Sequence, residues 1–255
     1  MIQNSLGFYF NGSHSSELGV IIAHTSGEYE EQFIAPRKVQ QSRFNNKTYF
    51  RKVDRDALSF SLTLYIEKWQ DWNKLRPIAR WLDVDDYVEF FTDVDPERVY
   101  YVIPDGNVDI THNGVKEGYF TVDFICLDSY TYSNYIIKDL VVNGKNSLFL
   151  ANEGDVITRP YMTFKMLQDG DIKVVNKASG EEFILTGLYI NEVIKVDGVN
   201  EEIESSLEEK FNRYLYDNHN RNWLDFKEQS ESEFEFIGNF EVEFKYRFVY
   251  LSELR

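Results

Sequence analysis

Cysteine is nearly absent from this chain of 255 residues, and a single thiol excludes any internal disulfide. Cys126 shares parity with Phe120, Val122 and Phe124, so it is expected on the apolar side of a strand as an inert buried thiol. Histidine is almost as scarce. His14, His24, His112 and His219 are scattered, without zinc-ligand spacing or a general-base pair. No apolar run approaches the roughly 20 residues of a membrane helix, and the N-terminus has no basic-then-apolar leader, so the expectation is a chain that folds in a cytoplasm without membrane insertion. Basic residues are outnumbered, 27 against 43, and the resulting charge of -16 argues against stable nucleic-acid binding or attraction to anionic lipid.

Aromatic residues, by contrast, make up 16% of the chain, and flat rings suit pleated surfaces and interfaces. Near the N-terminus, in LGFYFNGSHSSELGVII, Phe8, Phe10, Leu18, Val20 and Ile22 are apolar at alternate positions on either side of Asn11-Gly12, a dipeptide that tolerates positive φ. That pattern predicts a hairpin. Residues 58–66 alternate Leu58, Phe60, Leu62 and Leu64 with polar neighbours and predict a half-buried strand. The period then changes: Trp69, Trp72, Leu75, Ile78, Ala79 and Leu82 recur at helical steps, with Pro77 implying a kink or a second helix start. Trp69, Trp72 and Trp81 read as a core-facing stripe. Strands follow at residues 87–91, 99–103 and 118–127.

The polar and aromatic stretch DSYTYSNYIIK places a domain boundary near Asn134, giving domains 1–134 and 135–255. Beyond it, turn signals at Asn143-Gly144, Asp169-Gly170, Ser179-Gly180 and Asp197-Gly198 favour a β-sandwich. At the C-terminal end Phe240, Val242, Phe244, Tyr246, Phe248 and Tyr250 alternate with polar residues, and Gly238-Asn239 predicts a turn back onto Phe234 and Phe236. Residues 201–216 fit either a helix or strands, because Ile203, Leu207, Phe211 and Leu215 are four apart. The chain as a whole is expected to be mainly β, with one helical segment in the first domain.

Few residues suggest chemistry. Asp83, Asp85, Asp86, Asp93 and Asp95 are concentrated in one stretch, but they follow neither a cation-binding loop pattern nor a paired-carboxyl arrangement, and solvated turns explain them. His14 sits among Asn11, Gly12, Ser13, Ser15 and Ser16, which is a hydrogen-bonding turn before it is a catalytic triad. His219, Arg221 and Trp223 are the candidate glycan contacts, with packing of Trp223 at a strand start as the plainer reading. Arg37, Lys38, Arg43, Lys47, Arg51, Lys52 and Arg55 form a basic stretch opposed only by Asp54 and Asp56. It reads either as a solvated strand edge or as a contact surface.

The opening motif, together with LSFSLTLYI, IARWL, FFTDVDPERVYYV, GYFTVDFICLDSY and, later, KVVNKASGEEFILTG, KVDGVNEEI, NRNWLDF and EFEFIGNFEVEFKYRFVYL, resembles the siphophage distal tail protein family almost end to end. Each motif is degenerate, and the specificity lies in their order. Pro77 and the Val94-Asp95 step depart from the pattern. The resemblance implies an N-terminal β-sheet ring-forming (belt) domain and a C-terminal galectin-like β-sandwich for attachment. It also implies a non-enzymatic homo-hexamer without a cofactor, placed between the tail-tube protein and the tail-associated lysin, tip and receptor-binding proteins at the virion tail tip. In such a ring Arg37, Arg43, Arg51 and Arg55 would contact the acidic residues 83–97 of a neighbouring subunit. A carbohydrate-binding module using the second domain is the alternative, and a polysaccharide hydrolase ranks well behind it.

Overall fold

The computed structural model of the protein describes residues 2–23, 34–112, 114, 116–207 and 217–251. The chain divides into two compact units: residues 1–133 with 250–255, and residues 134–249.

The first unit is an antiparallel sheet in the order β2-β1-β7-β8-β10-β6-β3. Its strands are β1 (Phe8–Phe10), β2 (Ser13–His14), β3 (Val20–Ile22), β6 (Ser59–Glu67), β7 (Val88–Thr92), β8 (Tyr100–Asp105) and β10 (Glu117–Cys126). β9 (Ile110–His112) runs beside the start of β10, and β11 (Thr131–Tyr132) bridges Val99. The sheet curls until its ends meet, where the Ile22 N–H donates to the Leu6 carbonyl at 2.9 Å. Strand alternation therefore has an inside and an outside. Phe8, Phe10, Leu62, Leu64, Phe90, Val122, Phe124 and Cys126 fill the inside.

Asn11-Gly12 does make a tight turn, with φ of 48° and 73°, but it joins β1 to β2. The expected pairing of residues 8–10 with 18–22 is not formed. A 3-10 helix, Ser15–Leu18, carries the chain away so that β3 pairs with β6 at the far end of the sheet.

The helix α1 (Trp72–Leu82) is continuous through Pro77. Asp71 caps it, its carboxylate accepting the Asn73 N–H at 3.0 Å. Ile78 and Trp81 are its buried residues. Trp81 stacks on Phe8 at 5.5 Å, and its Nε1–H donates to the Phe10 carbonyl at 2.7 Å, fixing the helix to β1. The expected tryptophan stripe is only partly formed. Trp72 is 74% exposed, and Trp69 lies outside the helix, stacked on the His112 ring at 3.7 Å. The rest of the expected face holds: Ile78 and Trp81 are buried, and Trp69, Leu75 and Leu82 pack against the same core, so Trp72 is the tryptophan that departs from the stripe.

β4 (Arg37–Phe44) and β5 (Lys47–Arg55) form a separate two-stranded ribbon, which among the described residues pairs with no other strand. Asn45 and Asn46, both at positive φ, make its turn.

The second unit is built on two 17-residue strands, β12 (Ile136–Asn152) and β18 (Ser230–Tyr246), paired in register along their whole length. On its other edge β18 pairs first with β14 (Gly170–Asn176) and then with β13 (Tyr161–Met166). β15 (Glu182–Leu188) extends the first of these wings, and β16 (Val193–Asp197) with β17 (Glu202–Ser205) extends the second. Gly144 and Gly238 stand opposite each other at the change of wing, with φ of 84° and 141°. They are bends within strands, and the turn expected at each is not there. The predicted terminal hairpin is therefore a single strand, whose even-numbered side chains Phe234, Phe236, Phe240, Val242 and Phe244 are buried. Of residues 201–216, those at 202–205 are strand, while Phe211 and Leu215 lie outside the described residues.

Candidate functional site

Cross-strand partners point to the same side of a ribbon, so the β4–β5 register assigns two faces. Val39 pairs with Val53, Gln41 with Phe50, Arg43 with Thr48 and Arg37 with Arg55. A bulge between Gln40 and Gln41 brings Phe50 onto the side of Val53 and leaves Arg51 without a cross-strand partner. One face thus carries an apolar centre of Val39, Phe50 and Val53, with arginines at both ends. The apolar centre is open to solvent: Phe50 is 66% and Val39 54% exposed.

The other face carries two internal ion pairs near its base and the exposed rings of Phe44 and Tyr49 near its tip. Lys38 pairs with Asp56 at 2.7 Å and Lys52 with Asp54 at 2.7 Å. The hydrogen bond to Asp56 raises the Lys38 pKa, and the hydrogen bond from Lys52 lowers that of Asp54. Arg37, Arg43 and Arg51 have no ion-pair partner among the described residues, and Arg55 reaches only the Tyr130 hydroxyl at 3.5 Å. Within the basic stretch, then, Lys38 and Lys52 are neutralised locally, whereas Lys47 and the four arginines have no ion pair among the described residues. The apolar component of this ribbon was missed in the sequence.

The acidic stretch separates in a similar way. Asp93 accepts from His14 Nε2 at 2.9 Å, above Gly7, where a Cβ would lie 2.4 Å from Asp93 Oδ2. His14 Nδ1 meets the Ser16 hydroxyl at 2.6 Å and accepts the Ser16 N–H, so the imidazole caps the 3-10 helix. Asp95 lies 3.9 Å from the buried Arg98. Asp83, Asp85 and Asp86 remain exposed at the C-terminal end of α1. No cluster of metal-ligating side chains occurs among the described residues.

Next to those aspartates lies an apolar groove of about 410 Å³ between α1 and residues 104–110, lined by Leu75, Ile78, Leu82, Val108, Ile110 and Phe120 among others. Asp83 is part of its wall, and Asp105 and Asp109 are exposed along the same loop. Nothing in the sequence marks this groove, because its lining comes from three separate segments.

His219, Arg221 and Trp223 are close in the fold, but their groups are engaged. His219 is buried against Phe183 at 4.7 Å and Trp223 at 4.9 Å, and its Nε2 is 3.2 Å from the Asn222 carbonyl. Burial lowers its pKa and favours the neutral ring. Trp223 packs on the second core. Asn218 and Asn220 donate to the β15 carbonyls of Thr186 and Glu182, each at 2.6 Å, so this segment is held as an added strand edge.

Comparison with known proteins agrees with this architecture. A phage tail protein N-terminal domain matches residues 3–128, and a phage tail C-terminal domain matches residues 130–246. The SPbeta prophage-derived uncharacterized protein YomH of Bacillus subtilis (strain 168) is 30% identical over 98% of this chain and 100% of its own length. The chain belongs to this phage tail protein family, and its role is structural. Its fold is that of the distal tail hub: the SPP1 Dit (gp 19.1) structure superposes with a TM-score of 0.70 over 95% of this chain and 98% of that one, at 13% identity. The resemblance to distal tail proteins is thereby borne out in family and in fold.

Proposed function

We propose that six copies form a ring at the distal end of a non-contractile phage tail, joining the tail-tube protein to the tip, lysin and receptor-binding proteins. The first unit builds the ring and the second offers an attachment surface. The protein is assembled in the bacterial host cytoplasm, acts through interfaces rather than catalysis, and needs no cofactor. The observation that carries this reading is the β4–β5 ribbon. A lone two-stranded ribbon is marginal in water, and here it exposes apolar side chains, and arginines without an ion pair among the described residues, that a neighbouring chain would cover. In the ring Arg37, Arg43, Arg51 and Arg55 meet the acidic residues around positions 83–97 of the next subunit, which offsets the repulsion between chains of charge -16.

The test is co-assembly with tail-tube protein. Purified chain should cap tube ends in electron micrographs, and replacing residues 38–54 by a short Gly-Ser loop should abolish capping while the rest of the unit stays folded. Tubes that remain uncapped by the intact chain would refute the joining role. The carbohydrate-module reading gains no support from the positions of His219 and its neighbouring asparagines, which are already bonded within the chain.

A further inference from the structure

We propose that a recess on the outer face of the second unit, over β13, β16, β17 and the end of β18, binds a neutral oligosaccharide segment of a polysaccharide. The site belongs to the second wing of the sheet, whereas His219, Arg221 and Trp223 lie along the edge of β15 in the first. It does not rest on the ring.

The strand register builds the recess. On β13, β16 and β17 the core takes Met162, Phe164, Ile194, Val196 and Ile203, so the intervening side chains share the opposite face. One row across that face is Glu243, Thr163, Lys195 and Glu204, and the next is Lys245, Tyr161, Asp197 and Glu202. With Tyr135 they line a space of about 390 Å³, inside the roughly 300–1,000 Å³ range of ligand pockets. One end is an aromatic wall held together without a ligand: Tyr161 meets Tyr135 edge-on at 6.1 Å, and the Lys245 ammonium lies 4.0 Å from the Tyr135 ring centre.

The charges set this recess apart from the rest of the sheet. Elsewhere the lysines and glutamates find each other: Lys173 pairs with Glu182 at 2.7 Å, Lys145 and Lys177 with Glu235 at 2.7 and 2.9 Å, and Lys165 with its cross-strand partner Glu241 at 3.5 Å. Lys195 stands directly opposite Glu204, yet the two form no ion pair, and Glu202 and Glu243 have none among the described residues. An anion in the recess would face three glutamates, and a cation would face Lys195 and Lys245. A neutral sugar uses both signs, because each hydroxyl can donate to a carboxylate or accept from an ammonium while the apolar face of its ring covers a tyrosine.

The test is an array of immobilised oligosaccharides, neutral, anionic and amino-bearing, with a lysine-rich peptide spotted alongside. It is probed with the full-length chain and with Lys195→Ala, Glu243→Ala, Lys173→Ala and Arg221→Ala. Lys195 and Glu243 are exposed, so their variants keep the fold, which thermal melts verify. At least one neutral glycan should bind. Its apparent affinity should fall about tenfold or more in Lys195→Ala and Glu243→Ala, each of which removes a charged hydrogen-bonding group, and stay within about twofold in Lys173→Ala, whose lysine is paired in the other wing. An array on which no neutral glycan binds overturns the inference, as does a preference for charged glycans or for the peptide. Equal loss in Lys173→Ala would expose a general charge effect and overturn it too. Binding lost in Arg221→Ala but kept in Lys195→Ala and Glu243→Ala would put the sugar beside His219 and overturn the recess.

Discussion

Gly144 and Gly238 offer a paired test of how the second unit is shaped. They are cross-strand partners at the bend of the β12–β18 ribbon, yet their surroundings differ. At Gly144, with φ 84°, an added Cβ meets nothing within 4 Å. Alanine there carries only the cost of the left-handed conformation, about 1–2 kcal/mol. At Gly238, with φ 141°, the Cβ lies 2.5 Å from the Asp171 carbonyl oxygen and 2.7 Å from the Phe240 ring. Alanine there adds backbone strain of about 1–3 kcal/mol. Overlap with a fixed carbonyl and a buried ring adds a further 1–3 kcal/mol, roughly. Gly238→Ala should therefore cost roughly 2–6 kcal/mol against about 1–2 for Gly144→Ala. Urea titration followed by hydrogen exchange of the β12 and β18 amides reads the second unit directly. Equal losses in the two variants, or a neutral Gly238→Ala, would refute the bend as the source of both constraints.

Other expectations follow from single contacts. Glu235 holds Lys145 at 2.7 Å and Lys177 at 2.9 Å, and the hydrogen bond from Lys145, then that from Lys177, lowers its pKa. A lowered carboxylate stabilises above its unfolded value and loses that contribution as pH falls through the folded one. The gap in melting temperature between wild type and Glu235→Gln should thus be open at pH 7 and close in acid, and a pH-independent gap would contradict the pairing. Trp81→Phe removes the buried indole hydrogen bond to Phe10 and should cost about 1–3 kcal/mol, whereas Trp72→Phe should stay within about 0.5 in the same thermal melts. A fragment of residues 1–134 should still assemble, but it lacks Tyr250, whose ring lies 3.9 Å from the Arg98 guanidinium. Its melting should therefore fall by the equivalent of roughly 0.5–2 kcal/mol. Residues 135–255 should be a soluble monomer by native mass, and the reverse assembly pattern would refute the division of roles.

The legible parts of this fold are those set by short-range pattern. Alternation placed residues 58–66 and 118–127 in strands, Cys126 in the core, and a tight turn at Asn11-Gly12. What the pattern concealed depends on partners far away in the chain. A glycine within an alternating run is compatible with a turn or with a bend, and Gly238 is a bend because Gly144, 94 positions earlier, faces it. β3 belongs to the far end of the sheet for a similar reason, since its partner β6 lies beyond the β4–β5 ribbon. The apolar face of the ribbon was hidden more subtly. The bulge at Arg51 breaks the alternation, so Phe50 and Val53, three apart, share a face that a period of two assigns to opposite sides. The arginines were visible as a basic stretch, but which cations are neutralised within the ribbon emerges only from the geometry of Lys38 and Lys52.

The most direct measurement of the central claim is the native mass of the purified chain across ionic strength, paired with negative-stain images of the same samples. Six copies of 30.1 kDa give about 181 kDa, and six charges of -16 give -96, so assembly should shift with salt as repulsion and arginine–aspartate contacts are both screened. The account predicts a sixfold ring of that mass whose stability varies with salt and is weakened when Arg51 and Arg55 are reversed to Glu. A 30.1 kDa monomer at every concentration and salt, alone and with tail-tube protein, would contradict it.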